Sequence, residues 1–135
     1  AVDPEAAQIV FDSAIPLTVV PLDTTRTTHM SEERWERISK ACADKDLAEA
    51  LQHWINPWLA FSQQTRPVDG MWVHDLVTLF ALTNPELVTM EDAHCAVNAA
   101  GKLMRCADGR LVRVVTAVDN EGLLGALERV IAGRN

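Results

Sequence analysis

The sequence feature that most constrains the fold is a short β-branched segment, residues 17–20, which follows a helix-forming stretch and precedes a polar one. The segment reads LTVV, and such a short β-branched run is typical of a strand buried on both faces of a sheet. Before it, Asp3, Pro4 and Glu5 favour a helix start, because Asp caps free amides, Pro fits the first helical position and Glu complements the helix dipole. A helix over about residues 3–13 leading into a buried strand predicts an α/β fold.

The rest of the chain predicts further helices and strands. Residues 24–29 are polar and are interpreted as a loop at the carboxyl end of the first strand, the edge where open α/β sheets bind ligands. Asp108 and Gly109 are typical of a hairpin turn. About five helices and four strands are expected. The other helices are predicted at residues 31–43, from Asp46 through Phe61 with a kink at Pro57, at residues 76–82 and after residues 119–121. The other strands are predicted at residues 93–99 and 111–118, on either side of residues 102–106.

Size and composition favour one domain over residues 1–135. The chain is 48% apolar and contains four Trp and three Phe, enough for one packed core. It carries 12 Lys and Arg against 19 Asp and Glu, a net charge of −7, so the basic stripe of a nucleic-acid-binding protein is absent. No apolar run approaches the roughly 20 residues that span a bilayer. We therefore expect a cytoplasmic protein without nucleic-acid or membrane partners.

The three cysteines, Cys42, Cys95 and Cys106, are odd in number and lack the spacing of a zinc site. They indicate a reducing compartment, in which each is expected to be a small, buried and inert thiol. Cys95 and Cys106 could be cross-strand neighbours.

Common catalytic motifs are absent from the sequence, including GxSxG, the P-loop, GxGxxG and HExxH. The most unusual local feature is His74-Asp75, which separates an apolar run from an apolar helix. Spacing alone favours a simple interpretation, in which Asp75 is the N-cap of that helix and His74 a loop residue.

The order of several segments changes this interpretation. They are residues 2–11 (VDPEAAQIVF), residues 15–23 (IPLTVVPLD), Val73-His74-Asp75, Asn84-Pro85 and residues 89–92 (TMED). In this order they resemble the carboxyl-terminal half of the inosine-uridine preferring nucleoside hydrolases. The resemblance covers nearly the whole chain, and DPEAA and HD are its most specific elements. It implies a mostly parallel open sheet flanked by helices, with a β-hairpin near the carboxyl terminus.

The resemblance also implies a function, the hydrolysis of the N-glycosidic bond of ribonucleosides to base and ribose. His74 would face the base and help to protonate it, and Asp75 would be a ligand of the family's calcium ion. Trp58 lies on the helix that lends an aromatic side chain to the base pocket, although its spacing with Trp54 and Phe61 favours a place in the core. Family members that prefer purines alone tend to have Trp at the position of His74, so the resemblance is to the nonspecific or pyrimidine-accepting branch.

Other parts of the family pattern are missing. The Asp-rich motif DTDxGxDD, which supplies the other calcium carboxylates and the water-activating base, does not occur, nor does the EFN segment that contacts ribose. Leu76 replaces the Pro that usually follows the His-Asp pair. We expect a fragment that is inactive alone, which forms a homo-oligomer or pairs with an amino-terminal half. The alternatives are a diverged, non-catalytic binding or oligomerisation module, or an unrelated acidic α/β domain.

Four further residues are weaker site candidates. Arg26 and His29 lie where the family has a flap over the substrate, but a threonine-rich segment is more often a solvated connector. His53 and His94 have no partner pattern and are expected at the surface or hydrogen-bonded in the core.

Overall fold

A computed structural model describes residues 3–66 and 68–133 of the chain. It contains the helices α1 Pro4–Asp12, α2 Leu22–Thr25, α3 Glu32–Lys40, α4 Lys45–Thr65, α5 His74–Thr83 and α6 Asn120–Ile131, the strands β1 Thr18–Val19, β2 Val88–Val97, β3 Leu103–Arg105 and β4 Arg110–Val118, and a 3-10 turn at Pro85–Leu87. No helix in these residues is long and apolar enough to cross a membrane.

The four strands form one sheet in the order β1-β4-β2-β3. β1 is parallel to β4, with Thr18 opposite Arg113, whereas β2 is antiparallel to both β3 and β4. The predicted α/β fold class is confirmed, and within this part of the chain the parallel pairing is confined to β1 and β4. The amide of Gly109 donates to Cys106 O at 3.0 Å, which closes the predicted turn before β4.

Three of the predicted helix starts are stabilised by side-chain caps. Asp3 accepts from the amide of Ala6 at 2.9 Å, Ser31 from Arg34 at 3.2 Å and Asp119 from Gly122 at 3.0 Å. The predicted start of α4 at Asp46 is wrong by one residue, because Asp44 is the cap and accepts from the amide of Leu47 at 3.0 Å. α4 then continues through Pro57 as one helix of 21 residues.

The strand predicted at residues 93–99 begins five residues earlier, at Val88, and ends at Val97. Its first half carries exposed polar side chains at Glu91 and Asp92 and is specified by backbone pairing with β4, opposite Val114 and Arg113. That pairing joins segments more than 20 residues apart, so it leaves little trace in the local pattern.

Two apolar clusters hold these elements together. On one side of the sheet, Phe11 and Leu17 pack against Val112 and Val114. The larger cluster joins α3 to α6 and contains the fully buried Trp35, Ile38, Val77, Leu123 and Leu124. The predicted core position of Trp54, Trp58 and Phe61 is wrong: these side chains are 68%, 42% and 48% exposed, because α4 turns a different stripe, Leu51, Ile55 and Leu59, toward the core.

Candidate active site

His74 is the first residue of α5, and Val73 precedes it as an N-cap without a side-chain hydrogen bond. The simple interpretation of the pair, with Asp75 as the cap and His74 in a loop, is therefore wrong. Asp75 lies in the first turn, exposed, where its carboxylate complements the positive end of the helix dipole. His74 is half-buried and lies where α5 meets the segment after β1.

The threonine-rich segment after β1 is a packed turn and not a solvated loop. Residues 22–25 form α2, and the side chains of Thr24, Thr25 and Thr28 are buried. Thr24 Oγ1 donates to Val115 O on β4 at 2.8 Å, which anchors the turn to the sheet. Thr25 Oγ1 lies 2.7 Å from His74 Nδ1, so the turn holds the imidazole directly.

A backbone bridge fixes the segment that leads into α5. The amide of Met30 donates to Met71 O at 2.9 Å, and the amide of Met71 donates to Met30 O at 3.0 Å. Gly70 makes this approach possible, because its φ is +118° and a Cβ there would lie 2.2 Å from Met30 O. The ring of His29 hydrogen-bonds to Asp69 O across the same bridge. His29 therefore joins the two segments together and does not line the cavity beside His74.

A cavity of about 310 Å³ opens beside His74, at the lower end of the size range of small-molecule sites, which is about 300–1,000 Å³. Its wall is mostly apolar and includes Trp58 of α4, Trp72 and the first turn of α5 with His74 and Asp75. The ring centroids of Trp72 and His74 are 5.9 Å apart. Flat apolar surfaces next to one hydrogen-bonding imidazole suit a planar, nitrogen-containing ring.

Two arginines stack on the aromatic side chains of this cavity. The guanidinium of Arg66 lies 5.2 Å from the ring centroid of Trp58 and 5.3 Å from that of Trp72, and Arg26 lies 5.7 Å from that of Trp72. Burial and the nearby charge of Arg66 lower the pKa of His74, with a smaller contribution from Arg26, while Asp75 acts in the opposite direction. The imidazole is therefore mainly neutral near pH 7.

Neither His53 nor His94 belongs to this site. Both are exposed, as expected, and His94 Nδ1 bonds to Gly109 O at 2.9 Å in the hairpin. Within residues 3–66 and 68–133, no three His, Cys, Asp or Glu side chains come together as metal ligands. Calcium takes six to eight oxygens, so the ligands present here do not form a calcium site without oxygens from elsewhere.

The sequence analysis named His74, Asp75 and Trp58 as site candidates and did not name Thr25, Trp72 or Arg66. Thr25 and Arg66 come from other segments of the chain, and local spacing carries no record of such contacts, whereas Trp72 lies only two residues before His74. The run of four threonines among residues 24–28 is the one indication that was available in the sequence. Threonine hydroxyls readily bond nearby backbone groups, so this composition is compatible with an ordered turn as well as with a loop.

Comparisons with known proteins identify the family of this chain. A family model described as inosine-uridine preferring nucleoside hydrolase matches residues 1–125. The non-specific ribonucleoside hydrolase RihC of Salmonella agona (strain SL483) is 33% identical over 125 residues, and RihC of Salmonella typhimurium (strain LT2) is 31% identical. Both matches cover 93% of this chain and 36% of the relative, so the chain spans about a third of the length of these curated relatives.

Solved structures show the same fold. A purine-preferring ribonucleoside hydrolase from Gardnerella vaginalis superposes with a TM-score of 0.83 at 22% identity, over 97% of this chain and 44% of that protein. A plant nucleoside hydrolase superposes with a TM-score of 0.81 at 20% identity, over 96% of this chain and 45% of that protein. Since the family model matches residues 1–125 of the 135, the chain belongs to the inosine-uridine preferring nucleoside hydrolase family.

Proposed function

We propose that this chain supplies the leaving-group side of the active site of a nucleoside N-ribohydrolase, an enzyme that hydrolyses ribonucleosides to free base and ribose. The observation that carries the proposal is the position of His74, which a buried hydroxyl holds in the wall of an apolar cavity beside Trp58 and Trp72. Family membership supports the reaction class. We also propose a broad base preference. Family members that prefer purines alone tend to have Trp at the position of His74, and the curated relatives are named non-specific.

The proposed reaction places specific demands on these residues. When the C1′–N bond breaks, its electron pair moves onto the base nitrogen, and water adds to C1′. A hydrogen-bond or proton donor near the base then stabilises the charge that develops. His74 is proposed as this donor, and its lowered pKa favours hydrogen-bond donation from the neutral ring over full proton transfer near pH 7. Trp58 and Trp72 are proposed to contact the faces of the base.

Asp75 is proposed as the contribution of this chain to a calcium site that other parts of the protein complete. Bound calcium would orient the ribose hydroxyls and the attacking water. Asp75 is suited to this role because it is an exposed carboxylate. Among the described residues, no group of three His, Cys, Asp or Glu side chains forms around it, and we therefore expect the 135 residues alone to be inactive.

The test uses a fusion of the amino-terminal part of a RihC relative to residues 1–135. We expect His74→Ala to lower kcat on inosine by about 10² to 10⁴, the range for loss of a group that donates a proton or a hydrogen bond to the developing charge. On p-nitrophenyl riboside the loss should be much smaller, since that leaving group departs without protonation. Asp75→Ala should lower activity on both substrates alike, because a metal ligand serves both.

His53→Ala is the matched control, since His53 is exposed and does not line the cavity, and it should leave both rates unchanged. Equal losses on the two substrates for His74→Ala would contradict the donor role. Full activity of Asp75→Ala would contradict the metal-ligand role.

A second candidate function is a non-catalytic binding or oligomerisation module. Two observations favour it: β1 has a single strand neighbour in the described sheet, and apolar side chains such as Leu82 are exposed. Under either function we propose that the chain forms a homo-oligomer or pairs with an amino-terminal half, without nucleic-acid or membrane partners, in the cytoplasm. An inactive fusion that nevertheless forms a stable complex would favour the module.

A further inference from the structure

We propose that Thr25 is a positioning residue that keeps the proton of the neutral His74 ring on Nε2, the nitrogen left available to the cavity. The inference rests on the proposed donor role of His74. Its basis is a contact between segments 49 residues apart: Thr25 Oγ1 lies 2.7 Å from His74 Nδ1, and the threonine side chain is only 4% exposed. A separation of 2.7 Å between a hydroxyl oxygen and a ring nitrogen is a hydrogen bond.

A threonine hydroxyl has one proton to donate, and Thr25 has two acceptors within reach. One is His74 Nδ1 at 2.7 Å, and the other is Leu22 O at 3.3 Å in the same turn. Two neighbouring threonines donate to backbone carbonyls over shorter distances: Thr27 Oγ1 is 2.7 Å from Thr24 O, and Thr28 Oγ1 is 2.6 Å from Thr25 O. The longer contact to Leu22 is therefore the weaker one, and the hydroxyl proton of Thr25 is directed to Nδ1.

The identity of the partner decides which tautomer the imidazole adopts. A carboxylate or a backbone carbonyl only accepts, so it would hold the ring proton on Nδ1 and leave Nε2 as a base. A hydroxyl that donates to Nδ1 has the reverse effect, because a neutral ring carries one proton and that proton must then lie on Nε2. Thr25 thus makes His74 a donor toward the cavity, which is what departure of the base requires.

The surrounding turn fixes the hydroxyl in place. Thr24 anchors α2 to β4 through Val115 O, and the hydroxyl of Thr28 holds the carbonyl of Thr25. The side chain of Thr25 therefore presents its oxygen to the ring from a buried, tethered position. This arrangement gives the threonine-rich segment a role in orienting His74.

The first test measures the ring nitrogens of the 135-residue chain by long-range ¹H–¹⁵N NMR, above the pH at which His74 titrates. We expect the His74 nitrogens to show widely separated shifts, with the proton on Nε2. Thr25→Val keeps the shape of the side chain and loses the hydroxyl. In this variant the difference between the two ¹⁵N shifts of His74 should decrease toward the difference measured for the exposed His53. Thr25→Ser should keep the wild-type difference. A proton on Nδ1 in the wild type, or an unchanged separation in Thr25→Val, would overturn the proposal. The wild-type spectrum decides even if Thr25→Val fails to fold.

The second test uses the fusion enzyme. Thr25→Val should lower kcat on inosine by roughly tenfold, less than the loss of His74 itself, with KM and the rate on p-nitrophenyl riboside little changed. Thr25→Ser should retain the wild-type rate. A fall in both rates alike would show a merely structural role. If His74→Ala has no selective effect, the proposed function fails, whereas the NMR result on Thr25 stands independently.

Discussion

The three cysteines show how strongly the surroundings of one residue decide its chemistry. Cys95 is 2% exposed on β2, Cys42 is half-buried with its thiol donating to Asp44 O, and Cys106 is exposed in the turn before β4. The expectation that all three are buried is therefore confirmed for Cys95 alone, since Cys42 is half-buried and Cys106 is exposed. Cys95 and Cys106 are close enough for their charges to interact, yet both are free thiols.

Burial, and to a smaller extent the nearby Cys106, raises the pKa of the Cys95 thiol. Because the native state holds this proton more tightly than the unfolded state, its contribution to stability is complete below about pH 8.5 and is lost as the pH rises toward the native pKa. Denaturant unfolding as a function of pH should therefore show a steeper alkaline loss for wild type than for Cys95→Ala. Cys106→Ser serves as the control and should retain most of the wild-type slope.

Alkylation checks the same difference directly. Iodoacetamide at mildly alkaline pH should modify Cys106 first and Cys95 only after unfolding, since reaction needs an accessible thiolate. Modification of Cys95 in the folded chain at a rate like that of Cys106 would contradict its burial.

At the scale of single elements, Gly70 controls the geometry of the segment before α5. Gly70→Ala should cost at least about 1–3 kcal/mol, because alanine is strained at φ +118° and its Cβ would overlap Met30 O. Thermal unfolding measures the loss. The control is Gly125→Ala in α6, where a new Cβ meets only the end of Arg129 at 3.7 Å and should stabilise the helix by about 0.5–1 kcal/mol. Equal melting temperatures for Gly70→Ala and wild type would show that the bridge does not position α5.

Elements were predictable where local chemistry determines them. Asp3, Ser31 and Asp119 cap helices through contacts three residues away, and such contacts are visible in the sequence. Boundaries set by distant segments were not predictable, as in the first half of β2, which exists because β4 pairs with it. The same distinction applies to the site: His74 stood out as a polar residue before an apolar helix, whereas Thr25 became relevant only when folding brought it there.

At the scale of the whole molecule, the apolar periodicity of α4 shows what sequence alone leaves open. Leu51, Ile55 and Leu59 face the core, while Trp54 and Phe61 lie on an exposed stripe of the same helix. Helical spacing identifies both stripes but does not say which one has a partner.

The sheet edge at β1 carries the last prediction. Leu17 O accepts from the amide of Arg113, so the alternation of a parallel ladder directs the amide and carbonyl of Thr18 away from β4, to the open side. Exposed apolar residues, Ile15 and Leu22, flank the strand in the sequence. Since unpaired strand edges recruit other chains, the isolated 135 residues should self-associate in sedimentation velocity as concentration rises. Thr18→Pro, which removes the outward amide, should weaken association, and Thr18→Ala, which keeps it, should not. A wild-type chain that stays monomeric at every concentration, or equal association of both variants, would show that this edge does not pair.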